Sequence, residues 1–290
     1  MANPRIPYRL SSSNPHLPPL HGKSILVHLV VNAEHWQFDQ PMPRTIVTPP
    51  HGRETVPDVP NFSWADYGMR AGMPRILELL DGLPASTSFN AGVIDAYPQA
   101  AEAMLKAGWE FIGHGMHQKA SNHVEGGESA LIAACVAKIS AFTGQAVRGW
   151  LSPGLRETVE TPELLVQNGI GYVCDWVIDD QPGYLSTKNG PLVAMPYNLE
   201  VNDSIIYAIE RHATGEMLKR LEHTLRCFEH EAETQPRVLA IGLHPHLIAV
   251  PHRIHELRQM LDLLRASDKT IFTTGSAICD WFTRAHPTEA

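Results

Sequence analysis

The stretch Gly108–Gln118, GWEFIGHGMHQ, ends an apolar run on His114 in a glycine-flanked turn, with His117 and Gln118 just behind. Other apolar runs end in the same way. Glu34 and His35 follow SILVHLVVN, Trp150 and Ser152 belong to AVRGWLS, and His244 and His246 follow VLAIGL. Asp175 and Trp176 end GYVCDW, with Asp179 and Asp180 just beyond. Carboxylates and imidazoles activate water and protonate leaving atoms, and both are zinc ligands. Each residue also has a plainer use. Glu34 could pair with Arg44, His114 could bond a backbone carbonyl, and His244, before a proline, could stiffen a turn. Asp179 and Asp180 could brace loops.

These positions matter because the runs that carry them read as strands. SILVHLVVN (24–32) is continuous and β-branched, as in a strand buried on both faces. Strand patterns recur at 84–90, 109–113, 146–150, 170–176, 237–243 and 270–274. Helical patterns lie between them at 69–82, 95–108, 128–144, 161–169, 215–233 and 253–267, with one more at the end. Thr161 reads as an N-cap, with Pro162 at the first helical position. This alternation predicts an α/β fold with a parallel sheet, best closed as an irregular barrel of about seven β/α units. In such barrels the chemistry sits at the C-terminal ends of the strands. Residues 1–23, rich in proline and serine, read as an extended arm on the surface or on a neighbouring subunit, and 24–290 as one domain. Residues 33–64, rich in proline and aromatics, read as a long packed functional loop.

With 290 residues and 43% hydrophobic residues, the chain can bury a large core without covalent staples. A net charge of −8 with no basic stripe argues against nucleic acid as a partner. No run is long and apolar enough to span a membrane, and the N-terminus has no secretory pattern, so the expected location is the cytoplasm. Cys135, Cys174, Cys227 and Cys279 are widely spaced and read as reduced, buried thiols. No glycine-rich dinucleotide fingerprint follows the first strand.

The stretches VNAEHWQFDQPMPR, PPHG, PDVPNFSWADYGMR, GWEFIGHGMHQ, RGWLSPGL, CDWVIDDQP and LHPHLIAVPHR together resemble the polysaccharide deacetylase (NodB-homology) superfamily. The nearer likeness is to its metal-independent ring-opening branch, the cyclic imide hydrolases and deacetylase-like allantoinases. It covers roughly residues 24–285. It implies a NodB-like (β/α)7-type barrel and a homo-oligomer, with a tetramer as one form. Deacetylases end the first strand in two aspartates, a base and a metal ligand. Glu34 and His35 stand there. The other two metal ligands of the family are histidines four residues apart, and their places fall to His114 and Gln118. The arginine that orients the base falls at Leu151, and the histidine of the last motif is His244.

A glutamine amide is a poor zinc ligand. The expectation is therefore hydrolysis without a metal, with zinc held by His35, His114 and His117 as the fallback. Imide carbonyls are more electrophilic than those of simple amides, and their nitrogen leaves more easily, so the need for a Lewis acid falls. Glu34 is expected as the base that activates water, and His244 as the acid or oxyanion partner. Asp179 or Asp180 would orient His244. His114, Gln118, Trp150, Ser152, Asp175, Trp176, Asp180 and His246 would surround a small cyclic imide or ureide. An allantoinase, a metal-dependent sugar or peptidoglycan deacetylase, and an inactive ligand-binding relative are the alternatives.

Overall fold

The first apolar run becomes the central strand. In the computed structural model, which describes residues 3–49, 52–120 and 126–288, β1 (Ile25–Ala33) is buried along its whole length. It pairs in parallel with β2 (Ser86–Phe89), and the sheet continues through β3 (Glu110–Gly113), β4 (Gly149–Trp150) and β5 (Tyr172–Val173). Then β6 (Gly183–Thr187) and β7 (Gly190–Ala194) form the antiparallel hairpin of the sheet, with β7 beside β5. On the far side β1 pairs with β8 (Arg237–Leu243), and on the edge it shares with β2 its N-terminal end pairs with β9 (Thr270–Thr273). The strand order is β6-β7-β5-β4-β3-β2-β1-β8, an open path curled as a half-barrel, where the sequence pattern predicts a closed one.

Helices fill the intervals: α1 (Val59–Tyr67), α2 (Met73–Leu79), α3 (Val93–Ala96), α4 (Pro98–Lys106), α5 (Glu128–Thr143), α6 (Thr161–Gln167), α7 (Glu216–Glu231), α8 (Ile254–Ala266) and α9 (Gly275–Ala285). Two expectations change here. The helix expected from residue 69 starts at Val59, where Asp58 caps it by accepting from Asn61 N at 3.3 Å. The end of the supposed loop is therefore helical. Thr161 is already inside α6 and does not cap it; its hydroxyl donates to Glu128 Oε1 at 2.5 Å instead. Pro50 and His51, within the PPHG stretch, lie outside the described residues.

The arm lies on its own body. Arg5 pairs with Glu163 at 3.0 Å, Leu17 and Leu20 are buried, and the Trp281 indole donates to Pro18 O at 2.8 Å. Cys135, Cys174 and Cys279 are buried as expected, but Cys227 is exposed on the outer side of α7. Among the described residues, no helix is long and apolar enough to cross a membrane.

Candidate active site

The C-terminal ends of β1, β3 and β8 meet at a cavity of about 740 Å3 lined by Glu34, Gln118, His244 and His246. Asn90, directly after β2, ties these strand ends together. Its Oδ1 accepts from His35 N at 2.9 Å, its Nδ2 donates to His114 O, and its own N–H donates to Ala33 O at 3.1 Å. The turn after β3 is pinned as well, with Gln118 N donating to His35 O at 3.0 Å.

Glu34 and His244 face each other, Oε1 to Nε2, at 3.6 Å. The second Glu34 oxygen accepts from the Trp36 indole at 2.7 Å. His244 Nδ1 lies 2.6 Å from Asp203 Oδ1, and Asp203 Oδ2 accepts from the His244 backbone N–H, also at 2.6 Å. Asp203 is fully buried. It arrives there because the chain before it runs beside β8. Asn202 bridges to Gly242, where a Cβ would meet the Asn202 amide at 2.4 Å. Only glycine leaves that room.

The charges follow from this geometry. Burial opposes ionisation of Glu34, but the facing His244 and the surrounding imidazoles outweigh it and hold the carboxyl at about 2. Burial also opposes charge on His244, yet Asp203 and then Glu34 lift it to about 9. At neutral pH the pair is carboxylate and imidazolium, a base beside an acid. His246 stays neutral, pushed down to about 3 by burial. Its ring stands edge-on to Trp64, with centroids 4.5 Å apart, and to Trp36 at 5.6 Å.

The loop carrying His244 and His246 is seated by a π-helical turn, Gly68–Gly72, between α1 and α2. A Cβ on Gly68 would lie 2.5 Å from His246 N and 2.7 Å from His246 Cβ. Gly68→Ala is therefore expected to destabilise the fold by about 1–3 kcal/mol through overpacking. Thermal unfolding of the variant measures this, and an unchanged midpoint would contradict the close approach.

His114 is buried, and its Nδ1 lies 2.5 Å from Leu151 O. Burial lowers its proton affinity, so the neutral ring donates from Nδ1 and keeps a lone pair on Nε2. Among the described residues, that buried Nε2 and the buried Gln118 Oε1 make no hydrogen bond.

Several expected residues lie elsewhere. Asp179 accepts from Ser11 and Asn14 of the arm at 2.8 and 2.9 Å, and Asp180 takes Asn198 Nδ2 at 3.3 Å. Neither lines the cavity, and Asp203 holds the place beside His244 expected for them. Trp150 is a core residue packed on Gly113, with its indole donating to Ser152 Oγ at 3.1 Å. Asp175 is half-buried, does not line the cavity and accepts from Ser152 N at 2.9 Å, while the Trp176 indole donates to Glu157 at 2.7 Å. Burial raises both Glu157 and Asp175, and their proximity adds to the rise in Glu157. Among the described residues, Glu157 Oε2 and Asp175 Oδ2 make no hydrogen bond.

The fallback metal set does not assemble. His35 and His117 pair with each other, Nδ1 to Nδ1, at 2.9 Å, apart from His114. Among the described residues, no three His, Cys, Asp or Glu side chains converge as ligands. With a carboxamide at Gln118, the donor set does not fit a zinc ion.

Comparison with solved structures agrees with this architecture. A probable polysaccharide deacetylase from Pseudomonas aeruginosa PAO1 matches with a TM-score of 0.82 and 26% identity, over 96% of this chain and 97% of that one. The allantoinase PuuE matches with a TM-score of 0.83 and 24% identity, over 98% of this chain and 100% of that one. The fold is that of the polysaccharide deacetylase (NodB-homology) superfamily. No family model matches the sequence, and no curated protein does. Within the NodB-homology fold, Leu151 stands buried and apolar where the resemblance places an arginine. The Trp36 indole supplies a donor to the Glu34 carboxylate instead.

Proposed function

We propose that the chain is a hydrolase that opens cyclic imides without a metal ion. The likeness to a deacetylase and an allantoinase supports hydrolysis of a carbon–nitrogen bond. The observation that carries the ring substrate is the Gln118 carboxamide, which lines the cavity next to the His114 imidazole; among the described residues its Oε1 and the His114 Nε2 make no hydrogen bond. Buried polar atoms need partners. The imidazole offers an acceptor, and the carboxamide an acceptor and donors, which complements the alternating C=O and N–H of an imide.

Glu34 Oε1 takes a proton from water as the water oxygen adds to a ring carbonyl. His244 gives its Nε2 proton to the departing ring nitrogen, and the C–N bond breaks. The product is a half-amide bearing a carboxyl group. Glu34 then returns its proton to His244 across their 3.6 Å gap, and both groups are reset. The tetrahedral oxyanion forms beside the imidazolium, which stabilises it.

A cyclic ureide is the second reading, favoured by the full-length match to the allantoinase, and it presents the same amide edge. The test is ring opening of succinimide and maleimide by enzyme dialysed against chelator, with metal content measured in the same sample. Undiminished turnover in metal-free enzyme is the expected result. Activity that disappears and returns with zinc would overturn the metal-free chemistry. Opening of hydantoin or allantoin but not of imides would move the substrate to the ureides.

A further inference from the structure

The cavity holds more positive charge than the proposed chemistry uses. Arg44, Arg156 and Lys119 line it together with Glu34 and His244. Among the described residues none of these three cations forms an ion pair. Glu34 and Asp203 both face His244, which leaves one carboxylate in excess against the three cations. In a chain with a net charge of −8, this is a local reversal of sign.

Arg44 differs from the other two because it is half-buried, whereas Arg156 and Lys119 are exposed. Its Nη1 donates to Ser204 Oγ at 2.6 Å and to Ser204 O at 3.3 Å. Nε and Nη2 make no hydrogen bond among the described residues. Ser204 directly follows Asp203, which holds His244. Consecutive residues therefore fix the guanidinium and the proton carrier. A partly desolvated guanidinium favours an anionic partner, and its planar fork fits a carboxylate with two parallel hydrogen bonds. The cavity, at about 740 Å3, suits a substituted ligand better than a bare five-membered ring.

We propose that the substrate is a cyclic imide or ureide bearing a carboxylate on its ring, and that Arg44 selects it by pairing with that carboxylate while a ring carbonyl faces Glu34 and His244. This deepens the ring-opening reading and rests on it. Arg156 and Lys119, at the exposed mouth, draw the anion inward.

Two measurements separate this inference from the reading beneath it. The first is kcat/KM for succinimide and for its 3-carboxymethyl derivative. Wild-type enzyme is expected to favour the acid at least about tenfold, as for a charge-assisted hydrogen bond. In Arg44→Gln the ratio is expected to fall to about one, through KM, and Arg44→Lys should restore part of it. Equal efficiency on the two rings in wild type, or an unchanged ratio in Arg44→Gln, overturns the proposal and leaves ring opening standing. The second is calorimetric binding of the same two compounds to Glu34→Gln enzyme, with and without Arg44→Gln. If neither ring is opened by wild type but the acid still binds in preference and loses that preference without Arg44, the carboxylate site stands and the hydrolase reading falls. No preference in binding sinks the Arg44 assignment whatever the kinetics show.

Discussion

Glu34→Gln is expected to lower kcat/KM on a good imide by about three to four orders of magnitude, near the upper range for loss of a general base. The amide keeps the size of the side chain and can still accept from the Trp36 indole, which bonds the other oxygen at 2.7 Å. It cannot take a proton from water. It also removes the negative charge beside His244, one of the two that hold the ring charged. The variant should therefore lose turnover while keeping its fold, which a thermal unfolding curve checks. Activity within tenfold of wild type would mean that another group activates the water. The same pair makes stability depend on pH. Glu34 is depressed from 4.5 to about 2, so its contribution is complete above pH 4.5 and fades as pH falls through 2. His244 is raised from 6.5 to about 9, so its contribution is complete below pH 6.5 and fades as pH rises through 9. Both contributions are whole only between those inner limits.

The rim was legible because strand ends deliver residues in order. SILVHLVVN, apolar apart from His28 and its two end residues, and VLAIGL read as buried strands, so the charged and titratable residues that follow them, Glu34 and His244, had to emerge at the same end of a parallel sheet. The turn after β3 follows the same rule for His114 and Gln118. Asp179 and Asp180 misled for a local reason. They lie between β5 and the β6–β7 hairpin, and that hairpin turns the chain toward the arm. The Lys188-Asn189-Gly190 turn was its signal, with Gly190 at a φ of 121°. Asp203 had no such marker. It sits in a segment with no clear period, placed by the contact of Asn202 with Gly242 across the sheet and by its own bonds to the His244 loop. Asn90 was hidden in the same way, since a single asparagine after a strand looks like any turn residue. Long-range packing decides both positions, and local periodicity carries none of that information.

Asp203→Asn separates a residue that tunes His244 from one that only braces the loop. The carboxylate now accepts from His244 Nδ1 and from two backbone N–H groups, those of His244 at 2.6 Å and Ile248 at 3.3 Å. A carboxamide oxygen can keep the backbone bonds, but its nitrogen then faces Nδ1 and needs an acceptor there. The neutral ring would carry its proton on Nε2, and the charge that offsets burial would be gone. Burial is the leading influence on this ring and acts downward. The His244 proton affinity should therefore fall from about 9 to below the ordinary histidine value. An acid needed in its protonated form then gives a rate that declines at lower pH than before. At neutral pH, kcat/KM should drop by about two to four orders of magnitude, with part of the loss recovered on acidification. Full pH–rate profiles of wild type and variant decide it. A uniform loss at every pH, with the alkaline limb still near 9, would make Asp203 a structural brace and leave the charge of His244 to Glu34 alone.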